Sequence, residues 1–260
     1  MRILYIFILS FSILSCNGQE KEVPTKNEMV TEEVTDKITP VDSYYEEHKS
    51  DSIPSSSHGH VSKGQLKHGR LIPFSGENFI YFDSSSYLSG RAFGHEKVVN
   101  TITQSFESFE NSYPKRTFRV MELSNEHGGK IFPHRTHQNG LSVDLMMPLI
   151  KDGEIYTKED DTGIAHYVLD FNDSGQLTED PSVSIDFELV AAHILQLEKA
   201  ARKNGLKIKK VIINTNLKDE LFATESGKKL KQSGVYIVRN LEPLINDLHD
   251  DHYHVDFEIL

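Results

Sequence analysis

The chain lacks several features that would widen its readings. Cys16 is the single cysteine among 260 residues, so a mature domain downstream of it can form no internal disulfide. No apolar run reaches the roughly 20 residues of a membrane-spanning helix; the run at residues 3–14 suits a secretory signal instead. Basic charge is scarce, with 28 Lys and Arg against 39 Asp and Glu and a net charge of −11. That balance argues against a nucleic-acid partner, whose phosphates demand clustered Lys and Arg. No glycine-rich phosphate loop opens a helix and no Gly-x-Ser-x-Gly elbow is present, so nucleotide use and serine hydrolysis lack support. There is also no internal repeat and no second linker.

What is present begins with the amino terminus. Residues 1–15 read as a signal peptide, and its end, Ile13-Leu14-Ser15-Cys16, resembles the lipobox of bacterial lipoproteins. That resemblance implies cleavage before Cys16 and lipidation of its thiol and new amine, giving a membrane-anchored protein of the periplasm with the leaflet left open. Residues 16–62 are dominated by Lys, Glu, Thr, Ser, Asp and Pro and carry ten acidic residues against four lysines. Such a segment buries too little apolar surface to offset chain entropy, so it is expected to be a disordered tether extended by its own charge. Residues 63–260 are the right size for one domain.

Within that domain, residues 78–82, 117–123, 141–149, 207–214 and 252–260 read as strands. Residues 94–110 have helical spacing. The clearest helix is 184–203, with Phe187, Val190, Ala191, Ile194, Leu197 and Ala201 on one face, Ser184 as its cap and Gly205 as its stop. Shorter helices are expected over 217–231 and 241–248. The irregular mixture of strands and helices predicts an α+β fold, a mainly antiparallel central sheet flanked by helices.

The chemistry concentrates in two windows more than a hundred residues apart. One is Pro133-His134-Arg135-Thr136-His137-Gln138-Asn139-Gly140-Leu141-Ser142-Val143-Asp144; the other is His249-Asp250-Asp251-His252-Tyr253-His254. They hold five of the 13 histidines, each window with carboxylates, which is ligand chemistry for a divalent transition metal. If 252–260 is a strand, His252 and His254 project to one face while Tyr253 points the other way. Asn139-Gly140 marks a turn, so His134 and His137 precede it and Asp144 follows on a strand. The spacing His-x6-Asp taken alone is a weak signal. His166 and His193 read as structural, and His127, in a glycine-rich loop, as a candidate for lining the site.

Together the two windows resemble the penicillin-insensitive murein endopeptidases, within the lysostaphin-like and D-Ala-D-Ala zinc peptidases, whose shared pattern is His-x6-Asp followed by His-x-His. Segments at Gly64-Gln65-Leu66, Leu71-Ile72-Pro73 and Gly94-His95 extend the resemblance upstream. It implies Zn2+ bound by His137, Asp144 and His254, with His252 a catalytic histidine and His134 and His249 additional histidines of the active site. It implies a zinc site in a surface cleft and a peptidoglycan substrate, cut between D-alanine and diaminopimelate. One departure stands out: family members often carry an aspartate where this chain has Ser142, which puts the role of that flanking carboxylate in doubt.

Three protein ligands leave a fourth position for water, as in catalytic rather than structural zinc sites. His252 is then placed to take the water's proton or steady the oxyanion, and His252 or another histidine such as His249 to protonate the leaving amine. Asp250, Asp251 and Asp256 are candidates to orient imidazoles. The alternatives are a D,D-carboxypeptidase or dipeptidase trimming stem peptides, a wall-binding lipoprotein without turnover, and a periplasmic metal-binding protein.

Overall fold

The computed structural model describes residues 38–49 and 52–260. The signal peptide expected at 1–15, the lipidation site Cys16 and the first part of the expected tether lie outside the described residues. Among the described residues, no helix is long and apolar enough to cross a membrane.

The segments with alternating side-chain character assemble into one six-stranded sheet. Its order is Leu206–Ile212, His252–Ile259, Ser142–Met146, Phe118–Val120, Phe79–Tyr81 and Ser75–Gly76. Neighbours run antiparallel except Phe79–Tyr81 and Phe118–Val120, which are parallel, so the mainly antiparallel sheet and the α+β class hold. A smaller sheet, Glu154–Tyr156, Leu149–Lys151 and Val183–Ile185, adjoins it in sequence.

One face of the central sheet is closed by two helices, Glu96–Glu110 and Phe187–Lys203. Val98, Ile102, Phe106 and Phe109 form the buried stripe of the first, and Val190, Ile194, Leu197 and Ala201 that of the second. They share one core with Val143, Leu145, Tyr253, Val255 and Phe257 of the two central strands. Burying each large aliphatic or aromatic side chain of this set contributes roughly 1.5–3 kcal/mol. At the centre of the layer, His193 stacks on Phe106 with ring centroids 4.4 Å apart. Its Nε2–H donates to Ser105 Oγ (3.1 Å), Ser105 donates onward to the Ile102 carbonyl (2.7 Å), and Tyr253 donates to His193 Nδ1 (2.6 Å). Every polar atom of this buried group has a partner, so His193 is structural, as its sequence context suggests.

Because side chains alternate, the residues opposite to Tyr253, Val143 and Leu145 turn away from the helices. These are His252, His254 and Asp256 on one strand and Ser142, Asp144 and Met146 on the next. Cross-strand register places His254 directly opposite Asp144 and Asp256 opposite Ser142.

Four expectations need correction. The long helix begins at Phe187, not Ser184: Asp186 caps it by accepting from Leu189 N–H at 3.0 Å, while Ser184 belongs to a strand that pairs with Leu149–Lys151. The single helix expected over 217–231 is two, Lys218–Ala223 and Glu225–Gln232. Thr224 breaks it by capping the second with its hydroxyl on Gly227 N–H (3.0 Å), and any Cβ at Gly227 would meet the Leu221 carbonyl oxygen at 1.8 Å.

The other two corrections fall in the expected tether of 16–62. Pro40–His48 is a helix closed by a capping box between Thr39 and Asp42. Val41, Tyr44 and Tyr45, at helical spacing, pack on the core, with Tyr44 edge-on to Tyr87 at 5.8 Å. Three apolar residues are a sufficient stripe for a helix this short, and the surrounding charges hide them in the composition. Ser56–His60 pairs with Lys63–Lys67 as a hairpin, anchored by buried Val61 and Leu66. Ordered structure therefore begins well before residue 63.

Candidate active site

The hairpin braces the turn that carries the first histidine window. Gln138 N–H donates to the Val61 carbonyl (2.9 Å), Gly129 N–H to the Gly64 carbonyl (3.2 Å), and Ser57 Oγ to the Asn139 carbonyl (2.7 Å). The turn needs such support because His137 adopts φ +64°, a left-handed conformation seldom taken by residues with a side chain. Gly140, at φ +75°, passes so close to the His95 amide nitrogen that a Cβ there would lie 2.8 Å away. The chain then enters Ser142–Met146, and Asp144 arrives beneath His137.

All six residues singled out in the two windows converge. His137 Nε2 is 3.2 Å from Asp144 Oδ1 and 3.0 Å from His254 Nδ1, and His254 Nδ1 is 2.8 Å from Asp144 Oδ1. His134 Nδ1 is 3.4 Å from Asp144 Oδ2, and His252 Nε2 3.9 Å from Asp144 Oδ1. The His249 ring lies 5.0 Å from His252 and 6.3 Å from His254, centroid to centroid. The centre is nearly enclosed: His137, Asp144, His252 and His254 are buried, and the His134 side chain is 14% exposed.

Each imidazole is held from behind. His137 Nδ1 faces the Leu123 carbonyl at 2.5 Å, which fixes the proton there and turns the Nε2 lone pair inward. His254 Nε2 faces Asp256 Oδ1 at 2.8 Å, which turns Nδ1 inward. Asp256 in turn accepts from Ser142 Oγ (2.6 Å) and pairs with Lys210 Nζ (3.2 Å). Ser142, the departure in the motif, thus serves the carboxylate that orients His254. His252 Nδ1 pairs with Asp251 Oδ1. His249 Nδ1 donates to the Ile245 carbonyl (2.6 Å).

Of the three aspartates considered for orientation, Asp251 and Asp256 orient imidazoles. Asp250 accepts instead from Phe171 N–H at 3.1 Å and steadies a loop; burial first, with Asp251 and Asp170 nearby, pushes its carboxyl up to about 6. His166 is buried between the carbonyls of Glu159 and Asp251 at 3.1 and 3.2 Å. His127 is exposed and contributes only its carbonyl, which accepts from Leu66 N–H.

The sequence reading missed Glu122 and Arg91. Glu122 accepts from Arg91 Nε and Nη2 (2.5 and 2.6 Å) and from Ser86 Oγ (2.8 Å), and it faces His134 Nε2 at 2.6 Å. Burial raises its carboxyl, but His134 and Arg91 outweigh that and hold it down at about 2. Glu122 lies just past the strand Phe118–Val120, where its carbonyl accepts from Asp144 N–H (2.9 Å) and sets it beside the site. Tyr167 was also missed, and its ring stands edge-on to His252 at 5.3 Å.

The electrostatics call for positive charge at the centre. Three inward-facing acceptor atoms, His137 Nε2, His254 Nδ1 and Asp144 Oδ1, stand 2.8–3.2 Å apart. Burial alone would raise the Asp144 carboxyl, yet the neighbouring histidines, His137 and His252 foremost, hold it well below the usual carboxylate range. His254 shows the converse: burial opposes its protonation, and Asp256 and Asp144 override this and lift it to about 10. His252 is likewise raised against burial by Asp251 and Asp144. Burial, with His252 and His254 adjacent, pushes His249 down to about 3, so it is neutral.

A metal ion meets the same demand. Ligands 2.0–2.1 Å from a tetrahedral ion stand about 3.3 Å apart, close to the separations among these three atoms. Asp144 Oδ2 is buried without a hydrogen-bond partner among the described residues, as suits a carboxylate shaped for a cation. His134, His137 and Asp144 also form a group whose donor atoms lie within 4.8 Å of one another. The donor set is nitrogen and oxygen, fitting a borderline divalent ion.

No curated protein matches the chain. A family model described as penicillin-insensitive murein endopeptidase matches residues 57–259, from the hairpin to the last central strand.

Proposed function

The chain belongs to the penicillin-insensitive murein endopeptidase family, and we propose that it is a zinc enzyme hydrolysing the D-alanyl to diaminopimelate cross-links of peptidoglycan. Peptidase activity on murein follows from the family. The metal's identity, the roles of single residues and the bond cleaved are our reading.

The observation that carries it is the meeting of His137, Asp144 and His254 through inward-facing donor atoms, with His252 beside them. In this reading His137, Asp144 and His254 hold the zinc, which when bound lowers the pKa of water toward about 7 and polarises the scissile carbonyl. His252, oriented by Asp251, takes the proton of the attacking water and returns it to the leaving amine. His134 lines the reaction side, fixed by Glu122. His249, neutral and turned by the Ile245 carbonyl, offers a lone pair rather than a proton, so we assign the proton transfer to His252 alone. We further propose a periplasmic protein anchored to the membrane through lipidated Cys16.

Digestion of isolated peptidoglycan tests this. The wild type should convert cross-linked muropeptide dimers to monomers without releasing free D-alanine, and Asp144→Ala should leave the dimers intact. Release of D-alanine would instead identify a carboxypeptidase, and equal behaviour of wild type and variant would remove the proposal.

A further inference from the structure

The Tyr167 hydroxyl has no task in the fold. Its oxygen is buried and finds no hydrogen-bond partner among the described residues, although the ring around it is only partly buried. A buried hydroxyl left unpaired is destabilising, and phenylalanine would pack the same ring without that cost. The ring that carries it stands against His134 and His252 of the site, and burial first, then the carboxylates of Asp144 and Glu122, keep the hydroxyl protonated.

The placement is rigid. Tyr167 lies in the 3-10 helix Gly163–Val168, and the preceding His166 is wedged between the Glu159 and Asp251 carbonyls. Asp251 is also the residue that orients His252, so one short segment sets both the histidine and the phenol. The phenol ring stands edge-on to His252 (5.3 Å, 86°) and to Phe82 (5.7 Å, 83°), and 6.3 Å from His134. It therefore sits between the two histidine windows. Carboxylates and inward-facing lone pairs crowd this space, and a fixed, neutral O–H donor complements them.

We infer that Tyr167 is a further catalytic residue: its phenolic O–H donates a hydrogen bond to the scissile carbonyl oxygen as that oxygen gains negative charge. The inference rests on the amide-hydrolase reading above. In the step, the water oxygen bonds to the carbonyl carbon and the C–N bond breaks. The proton taken by His252 leaves on the amine, and the former carbonyl oxygen ends in a carboxylate. Tyr167 keeps its proton throughout and contributes only a donor preorganised for the charge.

The test is Tyr167→Phe in the full-length protein loaded with zinc, assayed on a purified cross-linked muropeptide dimer. Loss of one such donor costs about 100-fold in rate, so kcat should fall by about that factor with KM little changed. A phosphinate analogue of the scissile amide should lose affinity in parallel with kcat/KM, while metal content stays equal. The thermal midpoint should hold or rise, because only an unpaired hydroxyl is removed. Wild-type kcat in Tyr167→Phe, a lowered midpoint, or a loss of metal matching the loss of rate would each overturn the inference. Failure of the hydrolase reading would show differently, as a wild type that leaves the dimer uncut.

Discussion

At the residue scale, each donor in the site has a dedicated support: Leu123 carbonyl behind His137, Asp256 behind His254, Asp251 behind His252 and Glu122 behind His134. Such supports fix tautomer and orientation, and their loss typically costs about 10- to 100-fold in activity or metal affinity. Asp251→Asn is thus expected to lower kcat by about that range while zinc content, read by elemental analysis, stays at wild-type level. His254→Ala should abolish stoichiometric zinc in the same measurement, whereas His249→Ala should retain it. Equal zinc in His254→Ala would move the third ligand to His134, whose Nδ1 also reaches Asp144. Asp251 and Asp256 were legible in the sequence because they neighbour the histidines they serve. Glu122 and Tyr167 were not, since their partners arrive from loops distant along the chain and neither carries a motif of its own.

At the element scale, the helix layer holds a group that couples stability to pH. Burial pushes His193 down to about 3, against an ordinary value of 6.5. The folded protein keeps it neutral while the unfolded chain takes up a proton below pH 6.5. Its contribution to stability is therefore whole above 6.5 and is lost as pH falls from there toward 3, at up to about 1.4 kcal/mol per pH unit. Urea unfolding at pH 7.5 and 5 should show this loss in the wild type and a smaller one in His193→Gln. Where periodicity was long, as in Phe187–Lys203 and His252–Ile259, the elements could be read directly. The helix Pro40–His48 could not, because its stripe is three residues set among charges and its stability comes from Tyr87 and the core rather than from its own sequence.

At the scale of the whole molecule, a chain of net charge −11 gathers Glu122, Asp144, Asp251 and Asp256 in one buried region. A cation bound only by the folded state stabilises it by mass action, about 2.7 kcal/mol at a free concentration 100 times Kd. Chelation should accordingly lower the thermal midpoint of the wild type, zinc should restore it, and Asp144→Ala should respond to neither. The site exists only where two strands meet, with His254 paired against Asp144 and Asp256 against Ser142. A slip of one residue between them would turn both histidines of the last strand toward the helix layer. Turnover therefore doubles as a folding assay: the active fraction of a preparation counts the molecules whose central strands have found their correct alignment.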